Sequence, residues 1–531
     1  MPDHPPPLPA GHKRPKRWIV RIVLFSIAIV ILLAMIVVFH AEPILRARLV
    51  ETLSARFHSK VELDGFHVSL LRGFQVSGAG LRLFGDSDPN THQLGIQPLI
   101  SVAEFRFRMR LTEFFHSPMR VDTVYVKGLS LNVPPREQRG QMRNMAPAGK
   151  MTIVVDRFVC DEAELVINTL RPGKLPLEFD IESLQMTRIG TNEPLHFDAN
   201  LINPKPVGNI ISSGLFGPWQ ADSPRDTPVR GTYSFEHADL ATIKGIGGTL
   251  SSTGQYAGTL DNIVVDGATD TPDFHLASSG RPVPLHTDFH AIVDATSGDT
   301  YLRPIKAKIF ESRLLATGSV VHMKEPRGHR VDLDVVLPNG RIEDLLKLAV
   351  RTNPPVMNGV VELKTKFDLL PGTVPVCDRL KLGGRFRVSQ AQFTNEKIQN
   401  KIDVLSLRSQ GKAKLARQNV LDNVVSDLSG VFHLENGVIQ FSRLQFEIPG
   451  TRVYLTGKYS LDGNVFDFHG KARLEAKLSH TVTGWKSILL KPADPFFSKN
   501  GAGTELPVKI TGTQSEPHFG SDFRHKDHQA D

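Results

Sequence analysis

The chain has 531 residues, 40% of them apolar and 22% charged, with a formal charge of +8. That composition excludes a disordered polymer, because it carries enough apolar surface to bury a core. It also argues against a nucleic-acid partner: beyond residue 17 the basic residues are scattered among acidic ones, with no dense Lys/Arg run.

The first elements concern a membrane. Met1 to Ala10 is Pro-rich, and residues 1–17 read as a disordered cytoplasmic tail. Ile22 to Phe39 carries no charge and a single hydroxyl, Ser26. At ~1.5 Å per residue it covers roughly 27 Å, about the hydrocarbon thickness of a bilayer. Lys13, Arg14, Lys16, Arg17 and Trp18 precede it and mark one interface, where Arg21 can snorkel. The expectation is a transmembrane helix over 18–39, its N-terminus cytoplasmic by the positive-inside rule and the rest of the chain across the membrane. The rival is a cleaved signal peptide, whose apolar region spans roughly 7 to 15 residues and ends in small ones. Here the run is longer and Phe39 stands before His40 and Ala41, which favours an uncleaved anchor.

Residues 42–170 form the next region. Ile44, Leu45, Leu49, Leu53 and Phe57 recur at helical spacing and predict a short amphipathic helix ending near His58. Strands then take over, with turn signals at Asp64-Gly65 and Arg72-Gly73. In "MRVDTVYVKGLSLNV" the apolar set is Val124 and Val126, then Leu129, Leu131 and Val133. "VDTVYVKGLSLNV" (121–133) aligns without a gap with "VDRFVCDEAELVI" (155–167). Phe158, Leu165 and Ile167 fall on the matching apolar positions, which suggests one unit used again. The polar segment 134–150 between them reads as an exposed loop.

Residues 171–500 are β-rich, and 501–531 hold a final strand and a charged tail. Asn436-Gly437, Pro449-Gly450 and Asp462-Gly463 punctuate an antiparallel meander. In it Val453, Leu455, Tyr459 and Leu461 share one face, while Tyr454, Lys458 and Ser460 take the other. Helices are expected at 340–350, and a weaker signal covers 484–490. Period-two patterning does not say whether the apolar face meets another face or stays an open trough.

Reactive chemistry finds no motif: there is no Walker loop, HExxH, CxxC or nucleophile elbow. "KGIGGTL" (244–250) lacks the lysine and helix of a phosphate cradle and reads as a turn. Asp332 and Asp334 read as solvated strand residues, and the twenty histidines show no ligand spacing. No catalytic residue, metal or cofactor is expected. Cys160 and Cys377 could pair, but free buried thiols are the favoured reading.

Several segments resemble the AsmA-like envelope proteins of Gram-negative bacteria. They are "RLVETLSARFHSKVELDGFHVSLLRGFQVSGAGLRL", "FGPW" (216–219), "STGQYAGTLDNIVVDGATDTPDF", "FEIPGTRVYLTGKYSLDG" and "GAGTELPVKITGTQSEPHF". The resemblance implies a mainly β fold: an N-terminal transmembrane helix, then an elongated, curled antiparallel β-sheet groove with few short helices. It implies an inner-membrane protein, single-pass, with its bulk in the periplasm. The groove would carry glycerophospholipids or serve outer-envelope lipid homeostasis. The lining candidates are then Val124, Val126, Leu129, Leu131, Val133, Phe158, Leu165, Ile167, Val453, Leu455, Tyr459 and Leu461. About 25 strands at ~4.8 Å would extend such a groove to about 120 Å at most. The alternative is an assembly or scaffolding factor that binds outer-membrane or periplasmic proteins by strand addition.

Overall fold

A computed structural model describes residues 24–29, most of 42–54, 60–69, 74–84, 98–110, 118–133, 153–168, 177–190, 193–204, 206–220, 223–323, 328–351, 353–372, 374–418, 423–461, 465–483, 491, 503–513 and 516–520. The fold is mainly β, as the patterning predicts: 25 strands joined by hydrogen-bonded ladders, with few short helices among the described residues. Every ladder among the described residues is antiparallel. The expected anchor falls largely outside the described residues, as do Lys13, Arg14, Lys16, Arg17, Trp18 and Arg21. Residues 24–29 are helical and expose Leu24, Phe25, Ile27 and Ile29. Among the described residues no helix is long and apolar enough to cross a membrane.

The chain divides into two compact units. The first takes in β1 (Val61–Glu62), β2 (Gly65–Ser69), β3 (Phe74–Leu83), β4 (Ile100–Met109) and most of β5 (Met119–Val133). Here the apolar face is sealed. Leu63, Phe66, Val68, Phe74, Val76 and Met109 form a buried cluster, with Phe105 and Phe107 against it and Leu49 and Val50 of the preceding helical segment covering it. Sealing follows from having a helix to lay on the sheet: the apolar stripes of both meet and exclude water.

The odd step in the β5 pattern, from Val126 to Leu129, has a structural cause. Gly128 takes a left-handed φ of +63°, and so does Gly80 on β3 at +64°. On β4, between them, Ala103 and Glu104 are both exposed while Val102 is buried. Each strand thus spends one extra residue, a local kink that returns the apolar set to the same face. The repeat carries the same feature. Glu162, the residue aligned with Gly128, has φ +58° on β6 (Ile153–Ile167), so Cys160 and Ala163 are both buried across a step of three.

The second unit continues through most of β7 (Leu177–Ile189), then β8 (Leu195–Pro204), β9 (Val207–Phe216), β10 (Pro228–Asp239), β11 (Ile246–Gly247), β12 (Thr249–Thr259), β13 (Asn262–Leu276) and β14 (Val283–Asp294). It goes on with β15 (Asp299–Ile309), β16 (Ser312–Met323), β17 (Gly328–Arg341), β18 (Met357–Leu369), β19 (Leu380–Phe393) and β20 (Ser426–Glu435). It ends with β21 (Val438–Ile448), β22 (Thr451–Ser460), β23 (Val465–Leu474), β24 (Thr504–Thr513) and β25 (Pro517–Gly520). Neighbouring strands pair in chain order, save that β10 pairs past the short β11 with β12. Register breaks recur at Phe235/Ala238, Asp288/Ala291, Leu302/Ile305, Leu337/Gly340, Val388/Ala391 and Phe441/Leu444. Bulges bend the strands that carry them, and a row of bulges bends the sheet.

The Asn436-Gly437 turn forms as read. Both residues have positive φ, +51° and +71°, the requirement of a two-residue hairpin loop. The helix expected at 340–350 is α1 (Ile342–Ala349). Three further helices had no expectation behind them: α2 (Val376–Arg379), α3 (Glu396–Ser409) and α4 (Ala413–Arg417). The 484–490 signal lies outside the described residues.

Candidate functional site

The cross-strand registers sort the second unit's side chains onto two faces. On one, which we call inner, Phe386 stands beside Gly430, Gly430 beside Leu444, Leu444 beside Leu455, Leu455 beside Gly470 and Gly470 beside Val508. Following these rows from β8 to β24 puts no Asp, Glu, Lys or Arg on the inner face among the described residues. The charged side chains go to the other face, where Arg330 is held by Asp368 at 2.9 Å and Lys381 by Glu435 at 2.6 Å.

The inner face is not packed shut. Its large side chains Leu382, Phe386, Phe432, Phe441, Phe446, Phe466 and Phe468 are only half-buried. The fully buried ones gather at one rim, where Leu337, Val361, Val388 and Ala391 meet Ile342 and Leu345 of α1.

A pairing of aromatics with glycines explains how bulky rings leave room. Phe386 lies directly opposite Gly430, Phe468 opposite Gly457, Phe289 opposite Gly267, Tyr256 opposite Gly231 and Tyr233 opposite Gly254. A β-carbon added to any of these glycines would stand 2.7–2.9 Å from the facing ring. The rings therefore lie down on bare backbone instead of standing up into the trough. They shield the strand hydrogen bonds and keep the floor thin. Phe386, Phe441 and Phe468 continue as a row of ring contacts, centroids 6.3 and 5.8 Å apart.

Between β9 and β14 the floor turns to hydroxyls, and three pairs of them satisfy one another. Ser212 and Tyr256 are 2.7 Å apart, Tyr233 and Ser252 3.1 Å, and Thr269 and Thr287 2.5 Å. Burial pushes the Tyr233 and Tyr256 phenols above their ordinary range, so the floor stays neutral. His329, beside His322 with ring centroids 4.7 Å apart, is lowered by partial desolvation and is likewise favoured neutral.

The strand ends form two rims. The first, where β17 ends and β18 begins, carries α1, α3 and α4; the second, where β18 ends and β19 begins, carries α2. Strand ends leave backbone groups unpaired, and polar helix residues satisfy them. Asp344 of α1 accepts from the Ser312 hydroxyl at 2.9 Å and the Glu311 N–H at 3.2 Å. Among the described residues a backbone hydrogen bond joins the two rims. The "KGIGGTL" segment, on the first rim between β10 and β12, accepts at the Lys244 carbonyl from the Val376 N–H of α2, on the second rim, at 3.1 Å. Close by, Arg351 donates to the Ser278 carbonyl at 2.7 Å and Arg281 to Asn353 at 3.3 Å. The mouth of the trough is thus strapped across at this level.

The sequence-derived lining residues divide between the units. Val453, Leu455 and Tyr459 lie on the inner face together, and Leu455 is buried between Leu444 and Gly470. Leu461, in the turn after β22, is half-buried. In the first unit Val126 is buried against Phe105 and Val124 faces Phe107, so these join the sealed cluster's face and not an open trough. Leu129 and Leu131 are half-buried opposite Val102 and Ile100. Phe158 and Leu165 are half-buried on β6; the side chains of Val133 and Ile167 lie outside the described residues. Sequence reasoning missed the aromatic–glycine pairs, whose signal is a strand glycine at an apolar phase. Both cysteines are free: Cys160 is buried, which raises its thiol to about 11, and Cys377 is only half-buried. Among the described residues no cluster of His, Cys, Asp and Glu could hold a metal ion.

Comparison with protein-family models, with curated proteins and with solved structures gives no match.

Proposed function

We propose that this protein holds the acyl chains of membrane lipids in its inner trough, as a membrane-anchored periplasmic carrier of glycerophospholipid in lipid transport or outer-envelope lipid homeostasis. The observation that carries the reading is the inner face of β8 to β24, which among the described residues carries no Asp, Glu, Lys or Arg and is only half-covered. A two-chain lipid leaving a bilayer exposes its methylenes at ~0.8 kcal/mol each, roughly 25 kcal/mol for two chains of about sixteen carbons. A continuous apolar floor removes most of that cost while a headgroup remains in water at the rim. The second unit's sheet, from β8 to β25, runs about 75 Å at ~4.8 Å per strand, long enough for several lipids in file. The AsmA-like resemblance, the apolar run Ile22–Phe39 and its basic flank support the same reading and supply the anchor. The proposal assigns the protein no catalytic role.

The test is photo-crosslinking in the full chain. A crosslinker at Leu455 or Phe468 is expected to capture phospholipid, and one at Lys458 on the outer face is not. Native mass spectrometry of the detergent-extracted protein should show bound phospholipid. Capture of a protein and no lipid at the inner positions would turn the reading toward the scaffolding alternative.

A further inference from the structure

The α3–α4 hairpin is built inside out. On α3 the buried residues are Gln399, Asp403, Ser406 and Ser409, four polar side chains, and a single apolar one, Leu407. The polar ones are there because the rim needs them. Gln399 accepts from the Phe393 N–H at 2.9 Å and donates to the Val424 carbonyl at 2.8 Å. Asp403 accepts from the Val424 N–H at 3.0 Å and from Gln399 at 2.9 Å, and Ser406 donates to the Pro449 carbonyl at 2.8 Å. With Gln399, Asp403 and Ser406 spent on the strand ends, part of the apolar set faces outward, while Leu407 stays buried and Ile402 and Val404 are half-buried. Ile398 is 45% exposed, Leu405 38% and, on α4, Leu415 42%. Ile398 and Leu405 are seven residues apart, two turns along one helix face.

The flank of that stripe is basic. Lys397, Lys401, Arg408, Lys412, Lys414 and Arg417 are all exposed, and none makes an ion pair among the described residues. The contrast with the strands is direct, since Arg330, Arg452 and Arg473 are each held by a carboxylate within 3.0 Å. Glu396 is the single exposed acid on the two helices, because Asp403 is turned inward. An outward apolar stripe bordered by unpaired cations fits a surface that is apolar beneath and anionic on top. That describes the headgroup layer of a negatively charged bilayer.

We propose that the α3–α4 hairpin docks this rim of the trough onto an anionic membrane surface, with Ile398, Leu405 and Leu415 entering the interface and the six basic residues lying among phosphates. The contact goes beyond the trough reading and does not depend on it. It would hold the rim at a bilayer that the sheet itself does not enter.

The experiment uses the full chain in phosphatidylcholine nanodiscs, with Cys377→Ser and an environment-sensitive dye on Leu405→Cys. Added vesicles are phosphatidylglycerol or phosphatidylcholine. Docking predicts a blue shift with phosphatidylglycerol alone, abolished by high salt, and none from a dye on Lys458→Cys of β22. Lys401→Glu, Arg408→Glu and Lys414→Glu together should weaken the shift at least about tenfold. Ile398→Ser with Leu415→Ser, which keeps every charge, should reduce it as well. All five positions are exposed, so an unchanged melting temperature verifies the fold. No shift, an equal shift with phosphatidylcholine, or a shift given only by an acidic protein would overturn the proposal. Lipid capture at Leu455 is read in the same variants and should not change, which separates this contact from the trough.

Discussion

Phe386 on β19 lies flat across Gly430 on β20, its Cε1 2.7 Å from the point where a β-carbon of residue 430 would sit. The ring's position is set by what the neighbouring strand lacks. Gly430→Val should push Phe386 off the floor, at a cost of about 1–3 kcal/mol by overpacking. Thermal melting measures that cost. Lipid capture at Leu455 should fall at the same time, because the displaced ring stands in the trough. A variant that melts lower and still loads lipid would show that the floor has room to spare.

The strap across the mouth rests on Gly245. Its φ is +104°, and an added β-carbon would stand 2.6 Å from the Val376 nitrogen. Gly245→Val is therefore expected to break the Val376–Lys244 hydrogen bond and to cost about 1–3 kcal/mol in local strain. Hydrogen exchange by mass spectrometry should report faster exchange in 374–380, while β21 to β23 stay protected.

Asp403 ties α3 to the rim. Asp403→Ala orphans the Val424 N–H, at about 1–3 kcal/mol, and removes one of the two hydrogen bonds that the Gln399 amide donates. Asp403→Asn keeps an oxygen that can accept from both and should recover much of the loss. Chemical denaturation of the pair of variants compares them directly.

His329 gives the fold an acid sensitivity. The side chain is open to solvent on one side, and partial desolvation on the other lowers its folded pKa below the ordinary histidine value, so the unfolded chain takes up the proton somewhat more readily. Its contribution is fully present above about pH 6.5 and is lost as pH falls from there through the lower folded value. His329→Gln should flatten the fall in melting temperature between neutral pH and about pH 5. An identical fall in the variant would place the sensitivity elsewhere.

The elements themselves were legible because their causes are local. Asn436-Gly437 writes its own turn, and Val453, Leu455 and Tyr459 write their own face through period two. The same alternation hid the difference between the units. Val126 and Leu455 have the same pattern around them, but one belongs to a face sealed by Leu49 and Val50 while the other floors a half-covered trough. The α3 helix escaped notice although Asn395 caps it and accepts from the N–H groups of Lys397 and Ile398. Its buried face is mostly polar and Ile398 and Leu405 point outward, so the apolar spacing signals no core.

Sequence alone determined the strands, the hairpin turns and the separation of charge from hydrocarbon along each strand, since these depend on neighbours two to four residues away. Which face would be covered, where the rims meet at Lys244 and Val376, and that rings would lie upon glycines were decided by tertiary structure. Those outcomes depend on register and curvature, which set partners far apart in the chain and leave no local periodicity behind.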